Sequence, residues 1–257
     1  MNGLVSIIMP SYNTAEYITD SINSVIAQTY KNWELIIVDD CSTDETDSIV
    51  SSFLSDPRIR YYKNNKNSGA ALTRNRAISL SRGEWIAFLD SDDLWLPNKL
   101  EEQLDFMVKN NYYFSYTKYK IFDEKKVNSQ LVISGPKIVT RRKMFQYCWP
   151  GCLTVIYNSK IVKGLEIADI KKNNDYAMWL KVSKHLKCYF LNETLAVYRK
   201  GRTGSISTSS IFKLIKWHYL LFRISEKENV VFAFIHTLQN LFFGLIKKIF
   251  FEKKLPL

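Results

Sequence analysis

Short apolar runs of strand length alternate with segments of helical periodicity through the first half of the chain. Residues 4–9 form a β-branched run stopped by Pro10 and a polar turn. Over residues 16–28 the apolar positions Tyr17, Ile18, Ile22, Val25 and Ile26 recur at helical spacing, which predicts an amphipathic helix. Residues 33–38 read as a second buried strand, 46–54 as helix, 59–63 as a short strand and 70–81 as helix. The run from Trp85 then ends abruptly at Asp90. Strands alternating with helices, with no hairpin turn between them, predict parallel pairing through right-handed crossovers.

The second half is less regular. A helix is predicted over 97–108, sheet over the aromatic run 112–122, a strand over 151–157 and a helix over 176–184 for which Asp175 is a favoured cap. Near the end, residues 212–224 mix aromatic side chains with Lys and Arg, and residues 230–251 carry a broad apolar stripe. His236, Gln239 and Asn240 interrupt that stripe, which favours a helix lying in a membrane interface over one that spans it, with packing on protein as the alternative.

Composition sharpens this picture in one respect. With 257 residues, 46% of them hydrophobic and 24% charged, the chain is an ordinary well-cored protein, but its net charge is +11. From Arg199 onward 11 Lys/Arg stand against 3 Glu, so most of the excess lies in the last quarter. Such a tail points to an anionic surface, with Lys247, Lys248, Lys253 and Lys254 facing lipid headgroups; nucleic acid is the other candidate. Cys41, Cys148, Cys152 and Cys188 show no CxxC pairing, and the chain opens on strand-like sequence without a basic, apolar leader. A cytoplasmic setting with free thiols is therefore expected.

The chemistry gathers at strand ends. Asp90, Asp92 and Asp93 follow a buried run within four residues, and ionised carboxylates are rarely buried without a partner. Oxygen donors without Cys or His favour a hard divalent ion, Mg²⁺ or Mn²⁺; a solvated acidic turn is the plain alternative. In open parallel sheets ligands bind at the carboxyl ends of strands, where this chain carries Ser11-Tyr12-Asn13, Asp39-Asp40 and Asp90 to Asp93. No Gly-x-Gly-x-x-Gly follows the first strand and no Walker-type Gly-Lys-Ser/Thr occurs, which disfavours dinucleotide dehydrogenases and P-loop NTPases.

Four motifs in order, Val5 to Asn13, Val38 to Asp44, Asn67-x-Gly69 with Ala71 to Asn75, and Phe88 to Asp93, give the chain a resemblance to the family-2 glycosyltransferases over residues 4–210. The resemblance implies an inverting enzyme of α/β class with the GT-A, Rossmann-like fold: a mostly parallel central sheet, helices on both faces and C-terminal helices. It divides the chain into a glycosyltransferase domain at 1–210, with a donor half at about 1–110 and an acceptor half at 111–210, and a basic amphipathic helical segment at 211–257. Pro10 and Tyr12 match the segment that holds the nucleotide base, and Asp40 the carboxylate that binds uracil, with Asp39 close by. Arg74 and Asp90 fall near the sugar diphosphate. Asp92 and then Asp93 are the expected metal ligands, for Mn²⁺ or Mg²⁺. Asp175 matches the second acid of the pair that supplies the catalytic base, and Asn174 stands where Glu is common.

The chain departs from the family after Arg199. Many members carry a His two residues on, whereas position 201 is Gly, and His185, His218 and His236 read as helix-surface or interface residues. Lys200 and Arg202 are candidates to close over the donor phosphates, with a basic linker as the alternative. The resemblance thus implies a UDP-sugar donor and a glycan or lipid-linked acceptor of bacterial surface polysaccharide synthesis, and the basic tail implies a location on the inner face of the cell membrane. No nucleic acid is expected. A nucleotidyltransferase acting on sugar phosphates ranks second, since no basic Gly-rich loop is present to cradle a triphosphate.

Overall fold

The computed structural model describes residues 3–123, 131–201 and 211–254. In its first half, β1 (Val5–Ser11), β2 (Trp33–Asp39), β3 (Ile59–Lys63) and β4 (Trp85–Phe88) are joined by α1 (Ile18–Ile26), α2 (Thr46–Ser51) and α3 (Ala70–Ser79). These strands pair in parallel in the order β3-β2-β1-β4, as the alternating pattern predicts. β1 runs through Pro10 to Ser11 instead of stopping before the proline. Pairing with β4 has ended at Ile8, so the missing N–H of Pro10 disturbs no ladder on that side.

The second half turns the sheet mixed. Its elements are β5 (Leu94–Trp95), α4 (Lys99–Lys109), β6 (Phe114–Asp123), β7 (Leu131–Ile133), β8 (Ile138–Val139), α5 (Arg141–Gln146), β9 (Ile156–Asn158), α6 (Asn174–Val182) and β10 (Cys188–Lys200). β9 is antiparallel to both β4 and β6 and so joins the halves, while β10 runs parallel to β6. The strand predicted at 151–157 is in fact a 3₁₀ turn, Cys152–Thr154, followed by the short β9. Thr154 Oγ1 donates to the Gly151 carbonyl and closes that turn locally.

Alternate residues of the central strands feed two cores. Val5, Ile7 and Met9 pack with Ile18, Ile22 and Val25 of α1 and with Leu100 and Leu104 of α4. Ile8 and Phe88 pack on the other face with Ala77 of α3 and with Met178, Trp179 and Leu180 of α6. Burial on both faces explains why these strands read as continuous apolar runs.

The C-terminal segment comprises α7 (Ile211–Leu220), a π-helical turn at Leu221–Ser225, α8 (Val230–Phe250) and β11 (Glu252–Lys254). The helical reading thus ends at Phe250, and β11 returns to the sheet beside β7. Asn240 of α8 donates to the Tyr176 hydroxyl (3.1 Å), tying α8 to α6.

One buried charge holds the opposite end of the sheet. Glu34, its side chain 3% exposed, accepts from Ser6 Oγ (2.6 Å), from the Arg82 backbone N–H (2.8 Å) and guanidinium, and from Arg60. Burial would raise its pKa, but these bonds outweigh it and hold the carboxyl below its ordinary value. Glu34→Ala should cost about 2–3 kcal/mol in urea unfolding at neutral pH, modest for a buried pair because the Arg82 side chain is largely exposed. Since the folded pKa is depressed, this contribution is present above the ordinary carboxylate range and disappears as pH falls through the folded value. The difference between wild type and variant should shrink accordingly in acid.

Candidate active site

The loops after β1, β2 and β3 are stitched into one surface. Asp40 N–H donates to the Ser11 carbonyl (2.8 Å), Asn13 N–H to Ser42 Oγ (2.9 Å), Thr43 N–H to Asn13 Oδ1 (2.9 Å) and Thr14 N–H to Thr46 Oγ1 (3.0 Å). Asn13 (φ 49°) and Cys41 (φ 69°) adopt left-handed backbone, which turns the chain sharply at each strand end. Tyr12 is consequently 46% exposed, its ring open to solvent, and Pro10 is half-buried.

The adjacent carboxylates of β2 face different partners. Asp39 is fully buried and accepts from Ser42 N–H (2.6 Å) and the Tyr61 hydroxyl (3.0 Å), so it holds the loop. Asp40 accepts from Asn64 Nδ2 (2.8 Å) and from the backbone N–H groups of Ser68 (2.8 Å) and Gly69 (2.7 Å). These bonds orient Asp40 and tie it to the loop leading into α3, which brings Arg74 to the site. Gly69 has φ 85°, a backbone conformation that favours glycine at that turn.

Arg74 connects the two halves. Its guanidinium donates to Asp90 Oδ1 (2.5 Å), at the end of β4, and to Asn174 Oδ1 (2.6 Å), at the start of α6. Burial alone would lower its pKa, yet Asp90 beside it raises it, so Arg74 is a permanent buried cation. Asp175 follows Asn174 in the first turn of α6. The helix N-cap is Asn173, in left-handed conformation (φ 61°), and not Asp175, whose Oδ1 accepts from the Tyr176 N–H (2.8 Å). Burial raises the Asp175 pKa above the ordinary value, with Arg74 opposing that shift.

Asp92 and Asp93 are both buried in the turn after β4. Asp93 Oδ1 accepts from the Arg199 N–H (3.0 Å), and the Arg199 guanidinium donates to the Asp92 carbonyl (3.1 Å) and to Asp20 (3.2 Å). No cluster of three His, Cys, Asp or Glu side chains poised around a common metal position occurs among the described residues. Asp90 is engaged by Arg74 and Asp93 by Arg199, so the oxygen donors here would offer a hard cation one or two carboxylates and not an all-protein cage.

The remaining candidates lie on other elements. Lys200, at the end of β10, lies 3.9 Å from Asp123 of β6, and Arg202 lies outside the described residues. His218 is buried against Tyr176 and Asn173, and that burial pushes its pKa down to about 4. His236 packs on Phe145 and Phe222, and His185 is exposed. The sequence patterns do not single out Asn64, Tyr61 or Arg199, which orient the carboxylates from strands distant in the chain; only the strand order makes them neighbours.

Residues 6–157 match Glycosyl transferase family 2, more than half of the chain. The chain is a family-2 glycosyltransferase. It is 38% identical over 226 residues to the putative teichuronic acid biosynthesis glycosyltransferase TuaG of Bacillus subtilis (strain 168), covering 87% of this chain and 89% of that protein. It is 40% identical over 213 residues to the Escherichia coli enzyme WfgD, named as a UDP-Glc:alpha-D-GlcNAc-diphosphoundecaprenol beta-1,3-glucosyltransferase, covering 83% of each. Among solved structures it resembles S. aureus TarS 1–349 in complex with UDP-GlcNAc, with a TM-score of 0.72 at 21% identity over 92% of this chain and 71% of that one. The mannosyltransferase PcManGT from Pyrobaculum calidifontis, in complex with GDP-Man and Mn²⁺, gives 0.66 at 15% identity, over 95% of this chain and 75% of that one. These likenesses establish the GT-A fold that the four motifs imply.

Proposed function

We infer that this glycosyltransferase moves a sugar from a UDP donor to a lipid-linked glycan acceptor in the assembly of a bacterial surface polysaccharide, with inversion at the anomeric carbon. The observation that carries the reading is the Arg74 bridge, which ties the donor-side carboxylate Asp90 to Asn174, the residue next to the base Asp175. The similarity to WfgD over 83% of each chain supports the donor and acceptor classes, and that to TuaG supports a role in surface polysaccharide synthesis.

In this reading the uracil lies against Tyr12 and hydrogen-bonds Asp40, whose carboxylate is already fixed by Asn64, Ser68 and Gly69. Asp92, with Asp93 beside it, would hold Mg²⁺ or Mn²⁺ together with the diphosphate oxygens. A divalent cation there would stabilise the charge that builds on the departing diphosphate. Asp175 accepts the proton of the acceptor hydroxyl as that oxygen bonds to the anomeric carbon and the bond to the diphosphate breaks. Arg74 keeps Asp90 and the start of α6 in register through this single displacement.

The acceptor class also gives α8 a role. Its inner side, at Ala233, Thr237 and Asn240, is buried on the domain, while Phe234, Leu238, Phe242, Leu245 and Ile249 are exposed. The helix is long and apolar enough to cross a membrane, but only 17% of the apolar window is buried and one side is hydrogen-bonded to α6. A helix held along the domain in this way suits a lipid surface, on the inner face of the cell membrane, with Lys247 and Lys248 at the headgroups.

Calorimetric titration with UDP, GDP, CMP and dTDP, each with and without Mn²⁺, tests the donor site. UDP should bind most tightly, and Asp92→Ala should remove the Mn²⁺-dependent part of its affinity, by tenfold or more. UDP binding that ignores both Mn²⁺ and Asp92 would refute the metal assignment, and no binding by any nucleotide would refute the donor reading.

A further inference from the structure

A cavity of about 1010 Å³, lined by none of the catalytic carboxylates, lies between β6, β7, β10 and the end of α8. Four lysines line it, Lys118 and Lys120 of β6, Lys137, and Lys253 of β11, and no Asp or Glu does. The sheet register explains why these charges converge. Lys120 pairs with Val132 of β7, and Val132 pairs in turn with Lys253, so both lysines flank one apolar residue in a row across three strands. Lys118 precedes Lys120 by two positions and shares its face. Among the described residues no carboxylate forms an ion pair with any of these lysines.

Like charges set side by side on a sheet destabilise it unless an anion lies between them. Phosphate oxygens would provide such an anion, and the volume is at the upper end of small-ligand sites and far beyond what a bare phosphate fills. The walls decide the rest of the ligand. Phe250, 67% exposed, lines the cavity and also continues the exposed apolar row of α8 through Leu245 and Ile249. Ser134 fixes this junction, its N–H and Oγ both donating to the Phe251 carbonyl (2.9 and 3.1 Å). An amphiphile seated here would place its phosphate among the lysines and its chains along α8.

We propose that this cavity binds the phosphate headgroup of an anionic membrane lipid, at a site separate from the acceptor site. The proposal rests on the reading of α8 as a membrane face for the source of the phosphate, and on the lysine row for the phosphate itself.

The test compares binding of the full chain to vesicles of phosphatidylcholine alone and of phosphatidylcholine mixed equally with phosphatidylglycerol. Lys118→Gln with Lys120→Gln should lower partition onto the mixed vesicles by about tenfold or more, given what each lysine near an anionic surface contributes, and leave neutral vesicles unaffected. Lys31→Gln with Lys163→Gln removes the same charge outside the cavity and should change partition far less. Equal losses in the two pairs, or no loss in the first, would overturn the proposal. If wild type binds neither vesicle, the α8 reading fails, and titration with soluble dihexanoyl phosphatidylglycerol decides the cavity. Binding that the Lys118/Lys120 pair abolishes upholds the headgroup site, and no binding by wild type ends it. Glycerol 1-phosphate binding as tightly as the short-chain lipid would make this a site for soluble phosphate, contrary to the proposal.

Discussion

Asp175→Asn is expected to lower kcat by about 10³-fold while changing the affinity for UDP by no more than a few-fold. The magnitude follows from losing a positioned general base, which contributes typically 10²–10⁴. The selectivity follows from position: Asp175 stands on α6 in the second half of the chain, whereas Tyr12, Asp40 and Asp92 follow β1, β2 and β4 in the first half. Asparagine keeps the shape and the local acceptor for the Tyr176 N–H but cannot take a proton. The pH profile gives an independent check. Burial raises the Asp175 pKa, and a protonated carboxyl is no base, so kcat/KM should fall as pH drops through a value above the ordinary one for aspartate. Because the folded pKa is raised, ionised Asp175 costs stability at neutral pH, and the Asn variant should unfold at the same temperature or higher. A variant that keeps more than a small fraction of the wild-type rate would remove Asp175 from this role.

The fold of the first half was legible because both faces of its parallel strands are buried, so each strand leaves an unbroken apolar run that the intervening helices punctuate. Strand ends were legible for the same reason: Asp39 and Asp90 break those runs where the sheet stops. The second half hides its order. β9 is three residues long and is preceded by a 3₁₀ turn, so residues 151–157 look like one strand when only their end is paired. β5 is two residues long and exists only because β10 lies antiparallel beside it. Local sequence carries no record of such pairing.

The same limit governs the site. Asp90, Asp92 and Asp93 stand out in the sequence because three acids after a buried run need partners, but those partners are remote: Arg74 lies 16 residues before Asp90, and Arg199 lies 106 after Asp93. Asn174 looks like the loss of an acid. Its Oδ1 instead accepts from Arg74, so a neutral oxygen joins the halves while the one cation answers to Asp90 and Asp175. A glutamate at 174 would compete with them for that charge.

Arg74→Ala should therefore damage the enzyme more broadly than loss of the base does. Removing the guanidinium leaves the Asp90 carboxylate and the Asn174 carbonyl without their partner at the junction of the two halves. Asp90 is about one-third exposed and recovers some hydration, whereas Arg74 itself is buried, so truncation also opens a void. A stability loss of about 2–3 kcal/mol is expected, read as a lower urea midpoint with unchanged slope. Asp175 loses the neighbour that opposes its upward shift, so the acid limb of kcat/KM should move to higher pH. Activity should fall by about 10²–10³-fold, because misplacing a reacting group by an ångström already costs ~10²-fold. Arg74→Lys separates charge from geometry: an ammonium restores a cation near Asp90 but cannot present the planar fork that reaches Asp90 and Asn174 together. It should recover most of the stability and return the pH limb toward wild type while leaving kcat depressed. Full recovery of kcat by lysine would show that Arg74 acts through its charge alone and that the bridge to α6 does not position the base.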